Sequence, residues 1–178
     1  MKKKSLFTTR IKIILAIIGL CIFITGLAFF FMAKDTSTIP SSISSKLTFS
    51  PFVIDKKSSP YKAESFGLIR DEKNQQILTY TIIQNDMRVM VSQYPQPSEF
   101  TEIPEYKERF LTNVAKQYET VQTSNGALYL GRLTRGENKQ IGIFIERGLV
   151  VFMSPDTDLS TVTWRSIGDQ MEIKKILN

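Results

Sequence analysis

Hydrophobic positions along the chain fall into three regimes: one unbroken run, a long region of period two, and a short stretch of period near four. The run comes first. Ile13 to Ala33, IILAIIGLCIFITGLAFFFMA, holds no charged residue. Its 21 residues, rising about 1.5 Å each, reach roughly 31 Å, which matches the hydrocarbon core of a bilayer. A lone segment crosses that layer only as a helix, because every backbone N–H and C=O must be satisfied internally. The expectation is a transmembrane helix over residues 13–33.

Period two governs most of the rest. Gln76 to Tyr94 alternates in ILTYTII and MRVMVSQY on either side of Asn85-Asp86, the pattern of a tight hairpin, and Pro95 and Pro97 end the ladder by removing amide donors. A brief apolar element is expected at Phe49–Ile54, and strands at Ala63–Arg70, Glu119–Thr123, Ala127–Leu133, Gln140–Glu146, Leu149–Met153 and Met171–Ile176. Tyr106, Phe110, Leu111, Val114 and Tyr118 repeat at helical spacing, with Pro104 suited to the first turn and Glu105 able to pair with Arg109 at i,i+4. A short second helix opens at an N-cap Asp158, passes Leu159, Val162 and Trp164 to Ile167, and closes at Gly168. The expected fold class is α+β: the N-terminal transmembrane helix, then an antiparallel sheet of about six strands covered by one longer helix and a short C-terminal helix.

Charge sets the topology of the span. Lys2, Lys3, Lys4, Arg10 and Lys12 precede it with no acid among them, whereas Lys34 and Asp35 follow it, so residues 1–12 form a basic cytoplasmic tail and the C-terminal part lies outside the cell membrane. A cleaved signal peptide has a shorter apolar region and small residues at its cut, and Phe31-Met32-Ala33 places a bulky residue there. The run Ile18-Gly19-Leu20-Cys21 approaches a lipobox, which takes a small residue where Leu20 stands. An uncleaved single-pass anchor is the reading. Gly19, Gly26 and Ala33 recur every seven residues and offer a smooth strip for a partner helix, although no tight small-xxx-small pair of glycines accompanies them. Residues 34–46, rich in Ser and Thr, read as a flexible linker, and residues 47–178 as one extracytoplasmic domain.

The net charge of +6 loses its apparent meaning once divided along the chain. From Leu47 to Asn178, 16 basic residues balance 16 acidic ones, so the domain carries no electrostatic footprint for nucleic acid. The single cysteine, Cys21, lies in the span, and the domain must stand on a hydrophobic core without disulfides.

The sequence holds no His. Ser-His-Asp and Cys-His nucleophilic sites and His-ligated zinc are thereby excluded. Ser59-Pro60-Tyr61-Lys62 fits the S-x-x-K pattern, but turn formers surround it and the S-D-N and K-T-G companions are absent, so a surface turn is expected. Glu99, Glu102, Glu105 and Glu108 fall three apart, a spacing that serves paired carboxylates or simply complements a helix dipole. Asp156 and Asp158 are too few for a calcium loop. No catalytic residue, metal or cofactor is assigned. The remaining signal is aromatic: Tyr94, Phe100, Tyr106, Phe110 and Tyr118 gather around the helix and the approach YPQPSEFTEIPEY, where they line either a core or an apolar cleft for a lipid, peptide or glycan.

The hairpin ILTYTIIQNDMRVMVSQY, the strand NGALYLGRL, the hairpin QIGIFIERGLVVFMS and the closing segment DLSTVTWRSIGDQ together resemble the exterior halves of single-pass bacterial envelope proteins, among them outer domains of anti-sigma factors and the curved sheet of lipoprotein carriers. The chain is also similar to uncharacterised signal-anchored proteins of small-genome bacteria. An anti-sigma factor carries a cytoplasmic sigma-binding domain, and the topology above leaves about 12 residues inside. The expected function is a membrane-anchored, non-enzymatic binding module of the bacterial envelope, with an envelope protein or an apolar lipid ligand as partner. The alternatives are a structural subunit assembled through its span and, more remotely, a Ser/Lys hydrolase.

Overall fold

The computed structural model describes residues 39–54, 59–103, 105–134 and 138–176. Seven of its strands form one antiparallel sheet: β2 (Lys62–Arg70), β3 (Gln76–Gln84), β4 (Met87–Pro95), β5 (Ala115–Thr123), β6 (Gly126–Leu133), β7 (Gln140–Glu146) and β8 (Leu149–Pro155), in the spatial order β2-β3-β4-β8-β7-β6-β5. Strand β1 (Phe52–Ile54) pairs instead with the last strand, β9 (Met171–Ile173), as a separate ribbon. The helices are short: α1 (Ser41–Ser44), α2 (Glu99–Glu102), α3 (Tyr106–Val114) and α4 (Thr161–Gln170).

The expected α+β class is therefore corrected to a mostly β domain, with seven strands in the main sheet rather than about six. The helical period of the sequence outlasts the helix. Helix α3 stops at Val114, Ala115 is already extended at φ −125 and ψ 129, and the chain pairs onward with β6, so Tyr118 lies on β5. Helix α4 likewise takes its cap from Ser160, whose side chain accepts from Thr163 N, and Gly168 lies within it. Asp158 forms an ion pair with Arg132 instead. The span expected over 13–33, with Gly19, Cys21, Gly26 and Ala33, lies outside the described residues, and no helix among those described is long and apolar enough to cross a membrane.

Both faces of the sheet centre are covered, which explains why β7 reads IGIFI with hardly any alternation. Ile141, Ile143 and Ile145 pack on one face against Leu111 of α3 and Ala115. On the other face Phe144 joins Leu78, Tyr80, Ile82, Val89, Val91, Val151 and Met153 beneath Trp164 and Ile167 of α4. Gly142 leaves room there for the indole, since a Cβ at that position would stand 2.8 Å from Trp164 Cζ3. The tight β7–β8 turn has both central residues left-handed, Arg147 at φ 52 and Gly148 at φ 75, as a type I′ hairpin requires.

Three glutamine amides fasten segments that the main ladder does not reach. Gln93 Oε1 accepts from Phe52 N at 2.8 Å while its Nε2 donates to Phe52 O at 2.7 Å. Gln76 accepts from Thr48 N and donates to Lys46 O. Gln140 accepts from Leu159 N and donates to Leu159 O. Two residues within the stretch read as a flexible linker touch the domain core: Ile39 is buried in it and Ile43 packs against it.

Candidate binding site

Side chains alternate across a strand, so the burial of Leu78, Tyr80 and Ile82 on one face sends Ile77, Thr79, Thr81 and Ile83 to the other, the face that α3 partly covers. The same alternation on β4 sends Arg88, Met90, Ser92 and Tyr94 there. The ladder sets these residues in rows. Gly67, Thr79, Ser92 and Phe152 stand side by side, as do Glu64, Thr81, Met90 and Ser154, then Lys62, Ile83 and Arg88. Ile69 lies beside Ile77.

The cover is incomplete. Helices α2 and α3 seal β5 to β8 through Phe100, Phe110, Val114, Leu133 and Phe152, but Ile69 on β2 remains 54% exposed and Met90 on β4 60% exposed. Two of the three large apolar side chains exposed among the described residues thus lie on one bare half-face, at its opposite ends. Between them the floor is low, because Gly67, Thr79 and Ser92 are small. A Cβ on Gly67 would meet Thr79 Oγ1 at 2.8 Å.

An aromatic ridge borders the bare half. Tyr94 packs on Phe152 with centroids 6.1 Å apart, Phe152 on Phe110 at 5.9 Å, and Phe100 edge-on to both Phe110 at 5.1 Å and Tyr106 at 5.0 Å. Four of the five aromatic residues singled out from the sequence therefore meet, all half-buried. The fifth does not. Tyr118 makes its ring contact with Tyr129 instead, at 5.8 Å, on the same hydrophobic cluster, with Lys107 Nζ 5.0 Å above the Tyr129 ring. The sequence reading missed Phe152 and Tyr129, which sit on strands and have no helical spacing to mark them.

Burial pushes the Tyr94 hydroxyl up to about 12, with smaller contributions from the nearby Tyr106 and Asp71 charges. The outer side of α3 adds a shallow cleft of about 280 Å³ lined by Ile103, Tyr106, Arg109, Phe110 and Asn113. A neighbouring hollow of about 350 Å³ shares Arg109 and Asn113 and is edged by Glu105 and Glu108. The four glutamates are spread over α2, the turn before α3 and α3 itself, all exposed. Ser59 Oγ accepts from Tyr61 N while Lys62 opens β2, so no helical turn stacks the lysine over the serine. Among the described residues no group of three potential metal ligands is present.

No family model, no curated protein and no solved structure matches the chain. The resemblance to envelope proteins therefore rests on the sequence pattern alone.

Proposed function

We propose that the chain is a non-enzymatic binding module of the bacterial cell envelope, held in the membrane by Ile13–Ala33 with residues 1–12 cytoplasmic and the β domain outside. The uncharged run and the one-sided lysine and arginine flank support the placement. The absence of His, with Cys21 as the only thiol, favours binding over catalysis. The observation that carries the reading is the half-bare sheet face, on which Ile69 and Met90 stand exposed beside the ridge of Tyr94, Phe152 and Phe110. A face of that kind binds an apolar surface of a partner protein, with the aromatic residues as anchors.

The test is a double change inside the face, Met90→Glu with Thr81→Lys, in the full-length protein. Both sites touch solvent, so melting should move by no more than about 1 kcal/mol of stability. Crosslinked purification from the native membrane should then lose the partner that the unaltered chain retains. A folded double variant that keeps the same partner in the same yield removes the reading.

A further inference from the structure

We propose that two copies of this chain pair edge to edge through β2, antiparallel about a two-fold axis at Ile69, so that their bare half-faces join into one surface. The joined surface gains its meaning from the binding reading above, but the pairing itself is tested without any ligand.

Strand β2 is one edge of the seven-stranded sheet. Asp71 N donates inward to Gln75 O at 3.1 Å, and by the alternation of an antiparallel strand Ile69 also turns its amide inward while Leu68 and Arg70 turn theirs outward. No backbone bond among the described residues engages that outer side. The opposite edge, β5, is built differently: α3 and α4 both pack against it, and its outer half reads Glu119-Thr120-Val121-Gln122-Thr123. Beyond its partner β3, strand β2 meets chiefly the short α1 and β1, and Lys62, Glu64 and the bulge lie in its first half, so the stretch Gly67 to Arg70 is the part of the edge left open to another chain.

One register suits a second copy. With Ile69 facing Ile69, Leu68 faces Arg70 and Gly67 faces Asp71, each twice by symmetry, and every facing pair lies on the same side of the joined sheet. Leu68 and Arg70 then exchange their outward N–H and C=O groups, and the two exposed Ile69 side chains cover one another at the axis. No like charges face each other, and Lys73 of the turn is brought toward Glu64 of the other copy. The bulge between Glu64 and Gly67, with Ser65 at φ 56, ends the pairable stretch and limits the contact to its apolar half.

Cysteine crosslinking of the full-length chain in its membrane tests the pairing, with Cys21→Ser as the background. Directly facing residues of a non-hydrogen-bonded pair bring Cβ atoms within about 4.5–5.5 Å, near disulfide reach. Ile69→Cys should give mostly dimer on mild oxidation, several-fold more than Thr120→Cys on the other edge, and adding Arg70→Pro, which removes an outward N–H from the pairing, should lower that yield several-fold. Equal yields at both edges, or no dimer at Ile69→Cys while circular dichroism shows an intact fold, overturns the proposal. A dimer that forms in the Met90→Glu, Thr81→Lys variant after its partner is lost separates this pairing from the binding reading.

Discussion

Gln93 acts as a strand for Phe52. Its amide exchanges two hydrogen bonds, of 2.8 and 2.7 Å, with the backbone N–H and C=O of Phe52, as a neighbouring strand would. The Tyr80 hydroxyl adds a third, to Phe52 O, at 3.1 Å. The β1–β9 ribbon is thereby fastened to the main sheet from inside the core, where no water replaces a lost partner.

Gln93→Leu should cost about 2–4 kcal/mol, because it strands the Phe52 N–H and leaves its carbonyl to Tyr80 alone. Urea unfolding measures it. A loss below about 0.5 kcal/mol would mean that the ribbon does not depend on the clamp.

A contrast in burial ranks two contacts on the loop before α4. Arg132 and Asp158 form an ion pair whose side chains are 43% and 55% exposed, so Arg132→Ala should cost under about 1 kcal/mol. Gln140→Ala removes both bonds to Leu159 from a half-buried position and should cost more. Reversal of that order in parallel denaturation curves would refute the ranking.

Gly142→Ala places a methyl 2.8 Å from Trp164 Cζ3 in a core without slack. The indole must shift, at about 1–3 kcal/mol, and its fluorescence should move with it.

Alkaline pH acts through Tyr94. The folded state holds its proton to about 12 whereas the unfolded chain releases it near 10.0, so the folded state binds more protons across that window. Stability is full below pH 10 and falls as pH rises toward 12. Tyr80, fully buried, is shifted in the same direction. Tyr94→Phe should flatten the decline without abolishing it, as read from melting temperatures across the window.

Much of the sheet was legible. The Gln76–Tyr94 hairpin announced itself because one face is buried and the other is not, and Asn85, at φ 52, takes the left-handed turn conformation that Asn tolerates. The end of α3 was not legible, because Phe110, Val114 and Tyr118 keep a spacing of four straight through a change to extended backbone. The linker misled for another reason. Ile39, Ile43 and Leu47 also lie four apart, but the serines between them hid that apolar stripe. The packing of the aromatic ridge was half legible, since Tyr94, Phe100, Tyr106 and Phe110 converge through Phe152, a strand residue with nothing in its neighbourhood to mark it.

Oxidation of methionine in native membranes tests the bare face most directly. Met90 is 60% exposed while Met153 and Met171 are fully buried, so peroxide should modify Met90 well ahead of those two in the purified protein, and they serve as internal references. In membranes that hold the partner, the Met90 rate should fall several-fold relative to those references. An unchanged rate would mean that nothing covers this face where the protein works, and would contradict the binding account.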